Sequence, residues 1–131
     1  MSHTRYVDDN GNLVTVISDD VTIEEIKKLQ DELHSYLHDG EIYELVIHKP
    51  GTMMNLDMDD ANESADNIRK VMRDINRGAI AFVSDEDLVF GLCRQLQIRV
   101  GNDFVQMCVF RSEETALIWL NEMKSSKPAV K

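Results

Sequence analysis

The sequence has little of what disulfide-rich or membrane-spanning proteins depend on. Its 131 residues include two cysteines, Cys93 and Cys108, too few for a disulfide framework, so a reducing cytoplasmic location is expected. No apolar run approaches the roughly 20 residues of a membrane span. The first residues contain no apolar segment of the kind that directs secretion, so we expect no signal peptide.

Basic residues are also scarce. Lysine and arginine together number 14 against 24 acidic residues, which gives a net charge of −10. This deficit argues against binding to nucleic acids, which requires a positively charged face, and against docking on anionic lipid surfaces. The hydrophobic content of 43% is ordinary for a globular protein. A chain of this length can bury one hydrophobic core without disulfides or metals.

The most informative apolar stretch is residues 79–83, between Gly78 and Ser84. It shows no alternation of polar and apolar residues, which predicts a strand buried on both faces. That pattern is typical of a parallel sheet covered by helices. Ligand sites in such sheets lie at the carboxyl ends of the strands, so Ser84 and Asp85 are candidate site residues.

Hydrophobic patterning predicts nine elements in the order β-β-α-β-α-β-α-β-α. The predicted strands are residues 5–7, 13–17, 42–48, 79–83 and 104–110. Asn10-Gly11 joins the first two strands as an antiparallel hairpin. The later strands each follow a helix and are therefore expected to be parallel. The sequence predicts one α/β domain over residues 1–124, a mixed, mostly parallel five-stranded sheet with four helices packed on it, followed by a disordered tail at 125–131.

The first two helices carry clear boundary signals. Thr22 and Glu25 form a capping box, and Gly40 is predicted to end the first helix. The second helix is predicted to begin near Asp59 and to stop at Gly78. Its acidic residues come early and its basic residues late, an order that suits the helix dipole.

The third and fourth helices are predicted from an apolar stripe and from a cap, respectively. The third covers residues 85–100, with Leu88 among its inward-facing residues. Gly91 in its interior is unfavourable relative to alanine, so we interpret it as a close packing contact. Ser112 is predicted to cap the fourth helix.

Neither of two patterns that resemble metal sites is complete. His34 and His38 are four residues apart on the predicted first helix, but no third zinc ligand accompanies them. The acidic run at residues 55–66 lacks the glycine and the glutamate that a calcium loop requires. Both cysteines are interpreted as small core residues. We therefore expect no metal, no cofactor and no catalytic residue.

Three stretches together resemble a known family. They are residues 79–85, then Val89-Phe90-Gly91-Leu92-Cys93-Arg94, and then residues 109–120, which contain Phe110-Arg111 and Ala116-Leu117-Ile118-Trp119-Leu120. In this order they are similar to the SpoIIAA-like family of the STAS domain group. The resemblance implies a bacterial regulatory domain without established enzymatic activity, helices packed chiefly on one side of a mixed sheet, and in some members an apolar crevice like that of lipid-transfer domains.

The resemblance does not extend to the phosphorylated serine of the anti-sigma-factor antagonists. That serine starts the helix after the strand that corresponds to residues 42–48. Thr52 is the only hydroxyl in this loop of the present chain, and its surroundings do not match the family motif. No phosphorylation switch is therefore predicted.

The predicted function is binding of a small apolar or amphipathic ligand, or of a protein partner, at the carboxyl edge of the sheet. Methionines in the loop after residue 48 would supply an adaptable apolar wall. The candidate ligand-binding residues are His48, Thr52, Met53, Met54, Met58, Ser84, Asp85 and Arg111. A homodimer stays open as an alternative.

Two other classes of protein are partly consistent with the sequence. A phosphoacceptor receiver is suggested by Asp19-Asp20 after a strand, but the strand that should end in the acceptor aspartate ends in His48, and Arg111 lies near the position of the expected lysine. A small hydrolase would use His48 and Ser84. No acidic partner or oxyanion loop accompanies that pair, so this class ranks last.

Overall fold

The computed structural model describes residues 2–100 and 105–126. The strands are β1 (Ser2–Val7), β2 (Leu13–Ser18), β3 (Asp20–Val21), β4 (Glu41–His48), β5 (Met53–Met54), β6 (Arg77–Val83) and β7 (Val105–Phe110). The α-helices are α1 (Ile23–Asp31), α2 (Met58–Met72), α3 (Asp87–Val100) and α4 (Glu113–Ser125). The predicted start of the last strand at Phe104 and the predicted tail beyond residue 126 lie outside the described residues. In the described part of the chain, no helix is both long and apolar enough to cross a membrane.

The main sheet has five strands in the order β1-β2-β4-β6-β7. The hairpin strand β1 pairs antiparallel with β2, and the pairs β2–β4, β4–β6 and β6–β7 are parallel. This confirms the predicted α/β domain with a mixed, mostly parallel sheet and four helices. It also confirms the predicted hairpin and the burial of the stretch in β6, where every residue after Arg77 is buried.

A second, two-stranded sheet was not predicted. β5 lies in the loop that was expected to be irregular, and it pairs in parallel with β3. The Met53 amide donates to the Asp19 carbonyl at 3.1 Å, and the Asn55 amide donates to the Val21 carbonyl at 3.2 Å. Strands of two residues are too short to show a hydrophobic period, so the sequence carries no signal for them. This small sheet fastens the segment after β4 to the segment after β2.

The two faces of the main sheet are covered unequally. One face packs against α1, α2 and α3, and the other packs against α4. Along β4, Ile42 and Val46 belong to the three-helix side, whereas Tyr43 and Leu45 belong to the α4 side. Because side chains alternate along a strand, the polar residues Glu44 and His48 lie on the three-helix side as well.

Three predicted helix boundaries were wrong. Helix α1 ends at Asp31 and passes into a 3-10 helix (Glu32–Tyr36) instead of continuing to Gly40. Helix α2 ends at Met72, so Gly78 does not stop it but lies within β6. Helix α3 begins at Asp87, two residues later than predicted. The predicted capping residues Thr22 and Ser112 are confirmed as the caps of α1 and α4.

The predicted inward face of α3 was partly wrong. Val89 and Cys93 are buried as expected, but Leu88 is 64% exposed. Gly91 is exposed, and a Cβ atom built there would have no neighbour within 4 Å, so it makes no close packing contact. Apolar residues occupy both sides of this helix, Ile98 being exposed as well. Their pattern alone therefore does not define which side faces the sheet.

Replacing Gly91 and Gly78 by alanine should change the free energy of unfolding in opposite directions. At Gly91 we expect Gly91→Ala to raise the free energy of unfolding by about 1 kcal/mol, because alanine is the better helix former and the site is open. At Gly78 a Cβ would clash with the Ile42 carbonyl oxygen of the neighbouring strand. Gly78→Ala should therefore lower the free energy of unfolding by about 1–3 kcal/mol. Urea denaturation of both variants measures this, and changes of the same sign would contradict it.

Candidate functional site

A cavity of about 110 Å³ lies between the main sheet and the helices α1, α2 and α3. Its walls are mostly aliphatic and aromatic side chains, among them Ile17, Val46, Ile80 and Phe82 from the sheet and Leu29, Leu33, Ile68, Leu92 and Leu96 from the helices. Pockets for drug-sized ligands have volumes of roughly 300–1,000 Å³. The cavity therefore has room for a small molecule or for one ring or short chain of a larger one.

The side chains that both line the cavity and reach the surface mark its outer wall. They include the half-buried Met54 and Leu56, which precede α2, and the half-buried Leu92 and Leu96 of α3. Methionine has an unbranched, flexible side chain that adapts to differently shaped neighbours. The wall between the β5–α2 segment and α3 is therefore the adaptable side of the cavity.

A buried ion pair forms one polar part of the cavity wall. Arg5 Nη2 donates to Glu44 Oε2 at 2.8 Å, and the two side chains are 6% and 4% exposed. Thr15 completes the cluster, since its hydroxyl accepts from Arg5 Nε at 2.8 Å and donates to Glu44 Oε2 at 2.7 Å. Arg5 Nη1 also donates to the Leu29 carbonyl at 2.9 Å. Arg5 thus ties the edge strand β1 to β2, to β4 and to α1.

A second buried polar contact joins the helices above the cavity. Gln30 Nε2 of α1 donates to Ser64 Oγ of α2 at 3.0 Å. Asn67 Nδ2 donates to Gln30 Oε1, also at 3.0 Å. Buried polar groups are stable only when they are hydrogen-bonded. These two hydrogen bonds therefore hold α1 and α2 at a set distance from each other.

His48 supplies a third polar part of the wall, at the carboxyl end of β4. It is 5% exposed, and its Nδ1 lies 3.2 Å from the Val83 carbonyl oxygen. A carbonyl only accepts, so Nδ1 must carry the hydrogen. Burial lowers the pKa of this imidazole below its usual value, and the ring is therefore neutral at pH 7. Its Nε2 makes no hydrogen bond within the part of the chain that the structure describes.

The structure brings two of the eight predicted ligand-binding residues to this cavity, His48 and Met54. Thr52 is buried, and its Oγ1 lies 2.6 Å from the Lys49 carbonyl oxygen, so it closes the turn after β4. Met53 and Met58 are 51% and 68% exposed and point away from the core. The predicted methionine wall therefore contributes one of its three side chains to the cavity.

The other three predicted residues cluster at the start of α3 and do not line the cavity. Ser84 Oγ accepts from the Glu86 amide at 3.1 Å. Arg111 forms an ion pair with Asp87 at 2.9 Å and donates to the Asp85 carbonyl at 3.3 Å. The predicted crevice between the loop after β4 and the start of α3 is bridged, because the Gly51 amide donates to the Glu86 carboxylate. The cavity lies deeper, against the sheet.

Within the described residues, the side chains considered for a zinc site and for a hydrolase site do not lie together. His34 belongs to the 3-10 helix and His38 follows it, so the two do not share one α-helical face. Among residues 2–100 and 105–126, no three His, Cys, Asp or Glu side chains are grouped closely enough to hold a metal ion. His48 and Ser84 form no hydrogen bond with each other in that part of the chain. Burial raises the pKa of Cys93 to about 12, so this thiol lines the cavity in its neutral form.

Sequence reasoning missed Arg5, Thr15 and Glu44. One signal was present, since Glu44 interrupts an otherwise apolar strand and a buried carboxylate needs a partner. The partner could have been sought through the hairpin, whose register places Arg5 opposite Thr15. Charge at the centre of a buried strand is therefore the pattern that would have identified this cluster.

Comparisons with models of known families, with curated proteins and with solved structures give no match to this chain. Its function is therefore inferred from the cavity and from the residues around it.

Proposed function

We propose that this protein is a non-enzymatic regulatory or carrier domain of the SpoIIAA-like/STAS type that binds a small, mostly apolar ligand. The ligand occupies the cavity between the main sheet and the helices α1, α2 and α3. The observation that carries the proposal is the cavity itself, with its volume of about 110 Å³ and its apolar walls. Protein interiors rarely leave voids much larger than a water molecule.

The apolar walls of the cavity favour an apolar ligand energetically. The side chains of these walls lack neighbouring protein atoms on one side and forfeit the dispersion contacts that a close-packed core would make. An apolar molecule that fills the void recovers dispersion contacts and leaves water at the same time. A domain that keeps such a cavity next to a flexible methionine wall is therefore suited to reversible binding of a small apolar group.

The assignment to the SpoIIAA-like type is supported by the three sequence motifs at residues 79–85, 89–94 and 109–120. It is also supported by the unequal packing, since three of the four helices cover one face of the sheet. A regulatory role in the cytoplasm agrees with two cysteines that are both free. In such a role, a protein partner would distinguish the domain with bound ligand from the domain without it.

The proposal predicts saturable binding of benzene, which an apolar cavity of comparable size is known to accept. In wild type, NMR titration should shift the methyl signals of cavity residues such as Val46 and Ile80. Cys93→Leu, which adds side-chain volume at the cavity wall, should weaken binding by about tenfold or more.

A matched control is Cys108→Leu. Cys108 lies on β7 between Met107 and Val109, both of which belong to the three-helix side, so its own side chain is directed to the opposite face. Binding should persist in this variant. Circular dichroism establishes that both variants are folded. The absence of saturable shifts in wild type, or equal binding by Cys93→Leu and wild type, would show that the cavity is not a binding site.

A further inference from the structure

His48 brings an unpaired polar atom to a cavity with otherwise mainly apolar walls. The side chain is 5% exposed and lines the cavity. Its Nδ1 is engaged by the Val83 carbonyl at 3.2 Å. Nε2, on the other side of the ring, has no hydrogen-bond partner among residues 2–100 and 105–126. A ring nitrogen that has no protein partner can accept a hydrogen bond from a ligand in the cavity.

The chemistry of the pairing follows from the proton on the other nitrogen. Because Nδ1 donates to the Val83 carbonyl, Nε2 of the neutral ring carries a lone pair and no hydrogen. It can accept a hydrogen bond but cannot donate one. A ligand must therefore supply the O–H or N–H group that points at this atom.

The charges near the cavity restrict the ligand further. Glu44 lines the same cavity, and its charge is already paired with Arg5 at 2.8 Å. A carboxylate ligand would bring a second negative charge close to Glu44 and would offer no hydrogen to His48. A cationic ligand would lose its hydration without finding an unpaired anion. A neutral molecule avoids both costs.

We propose that the cavity selects a small neutral alcohol or phenol, whose hydroxyl group donates a hydrogen bond to His48 Nε2 while its apolar body fills the space against Val46 and Phe82. This inference rests on the proposed ligand-binding function and names the chemical class of the ligand. His48 acts as the specificity-determining residue. The cavity should bind a ligand with a hydroxyl group at this position more tightly than the same ligand with a methyl group there.

Phenol and toluene test the inference, because they have nearly the same shape and differ by a hydroxyl in place of a methyl group. Binding of each is measured by NMR titration and calorimetry with wild type. Phenol should bind about tenfold more tightly than toluene, the discrimination expected from one buried hydrogen bond. In His48→Phe, which keeps an aromatic ring but removes the acceptor, the preference for phenol should disappear.

Ring ¹⁵N spectra of the wild-type histidines provide a second measurement that does not depend on folding of the variant. The His48 Nε2 signal should shift when phenol binds and stay in place when toluene binds. The control Ser84→Ala alters a buried neighbour that does not line the cavity, and it should keep the preference for phenol.

The outcomes separate the two proposals. Toluene or benzoate binding as tightly as phenol would overturn the role of His48 and leave the cavity as a binding site. An Nε2 signal that does not move with phenol would also overturn that role. If phenol, toluene and benzoate all fail to bind wild type, both the proposed function and this inference are wrong.

Discussion

Replacing Arg5 by alanine should lower the free energy of unfolding by about 3–5 kcal/mol, the range for breaking a buried ion pair on one side. Arg5 and Glu44 are 6% and 4% exposed and 2.8 Å apart. Removing the guanidinium leaves a carboxylate in the core with Thr15 as its hydrogen-bond donor. The variant also loses the contact from Arg5 to the Leu29 carbonyl, which connects the edge strand β1 to α1.

Two control variants separate the effect of leaving the Glu44 charge unpaired from a general sensitivity of the protein to substitution. The double variant Arg5→Met, Glu44→Leu replaces both charges by apolar groups and should recover most of the lost stability. Lys27→Ala removes an ion pair of the same 2.8 Å length at the surface, and its effect should be much smaller because solvent screens that pair. Urea denaturation at pH 7 measures all three variants. A loss in Arg5→Ala no larger than in Lys27→Ala would show that the buried pair is not important for stability.

Replacing Phe82 by alanine should lower the free energy of unfolding by about 3–5 kcal/mol as well, because the substitution truncates a large side chain in the core. Phe82 is 8% exposed and lies on β6, beside β4 at the middle of the sheet. It also lines the cavity. The truncation enlarges a space that already exists, and a larger cavity that cannot collapse increases the loss.

The matched control for Phe82→Ala is Ile98→Ala on α3. Ile98 is 66% exposed, so its truncation should change the free energy of unfolding by no more than about 0.5 kcal/mol. Thermal and urea denaturation of the two variants give the comparison. A loss below about 1 kcal/mol in Phe82→Ala would contradict the burial of β6 on both faces.

The order and type of the main elements could be predicted from the sequence because the signals are local. Asn10-Gly11 specifies a tight turn, and Thr22 and Ser112 offer side-chain oxygens to the first amides of a helix. The unbroken apolar run at residues 79–83 needs cover on both faces. Each of these effects involves residues a few positions apart, so no knowledge of the folded chain is required.

The site depended on contacts between residues that are distant in the sequence. Glu44 is tolerated in a buried strand because Arg5, 39 residues earlier, reaches it across β2. The tautomer of His48 follows from the carbonyl of Val83, 35 residues away. The orientation of α3 was decided by packing as well, since Leu88 and Cys93 are both apolar and only Cys93 faces the sheet. Strand register, helix rotation and the cavity between them arise when separate elements pack together, so only the tertiary structure determined which polar atoms line the cavity.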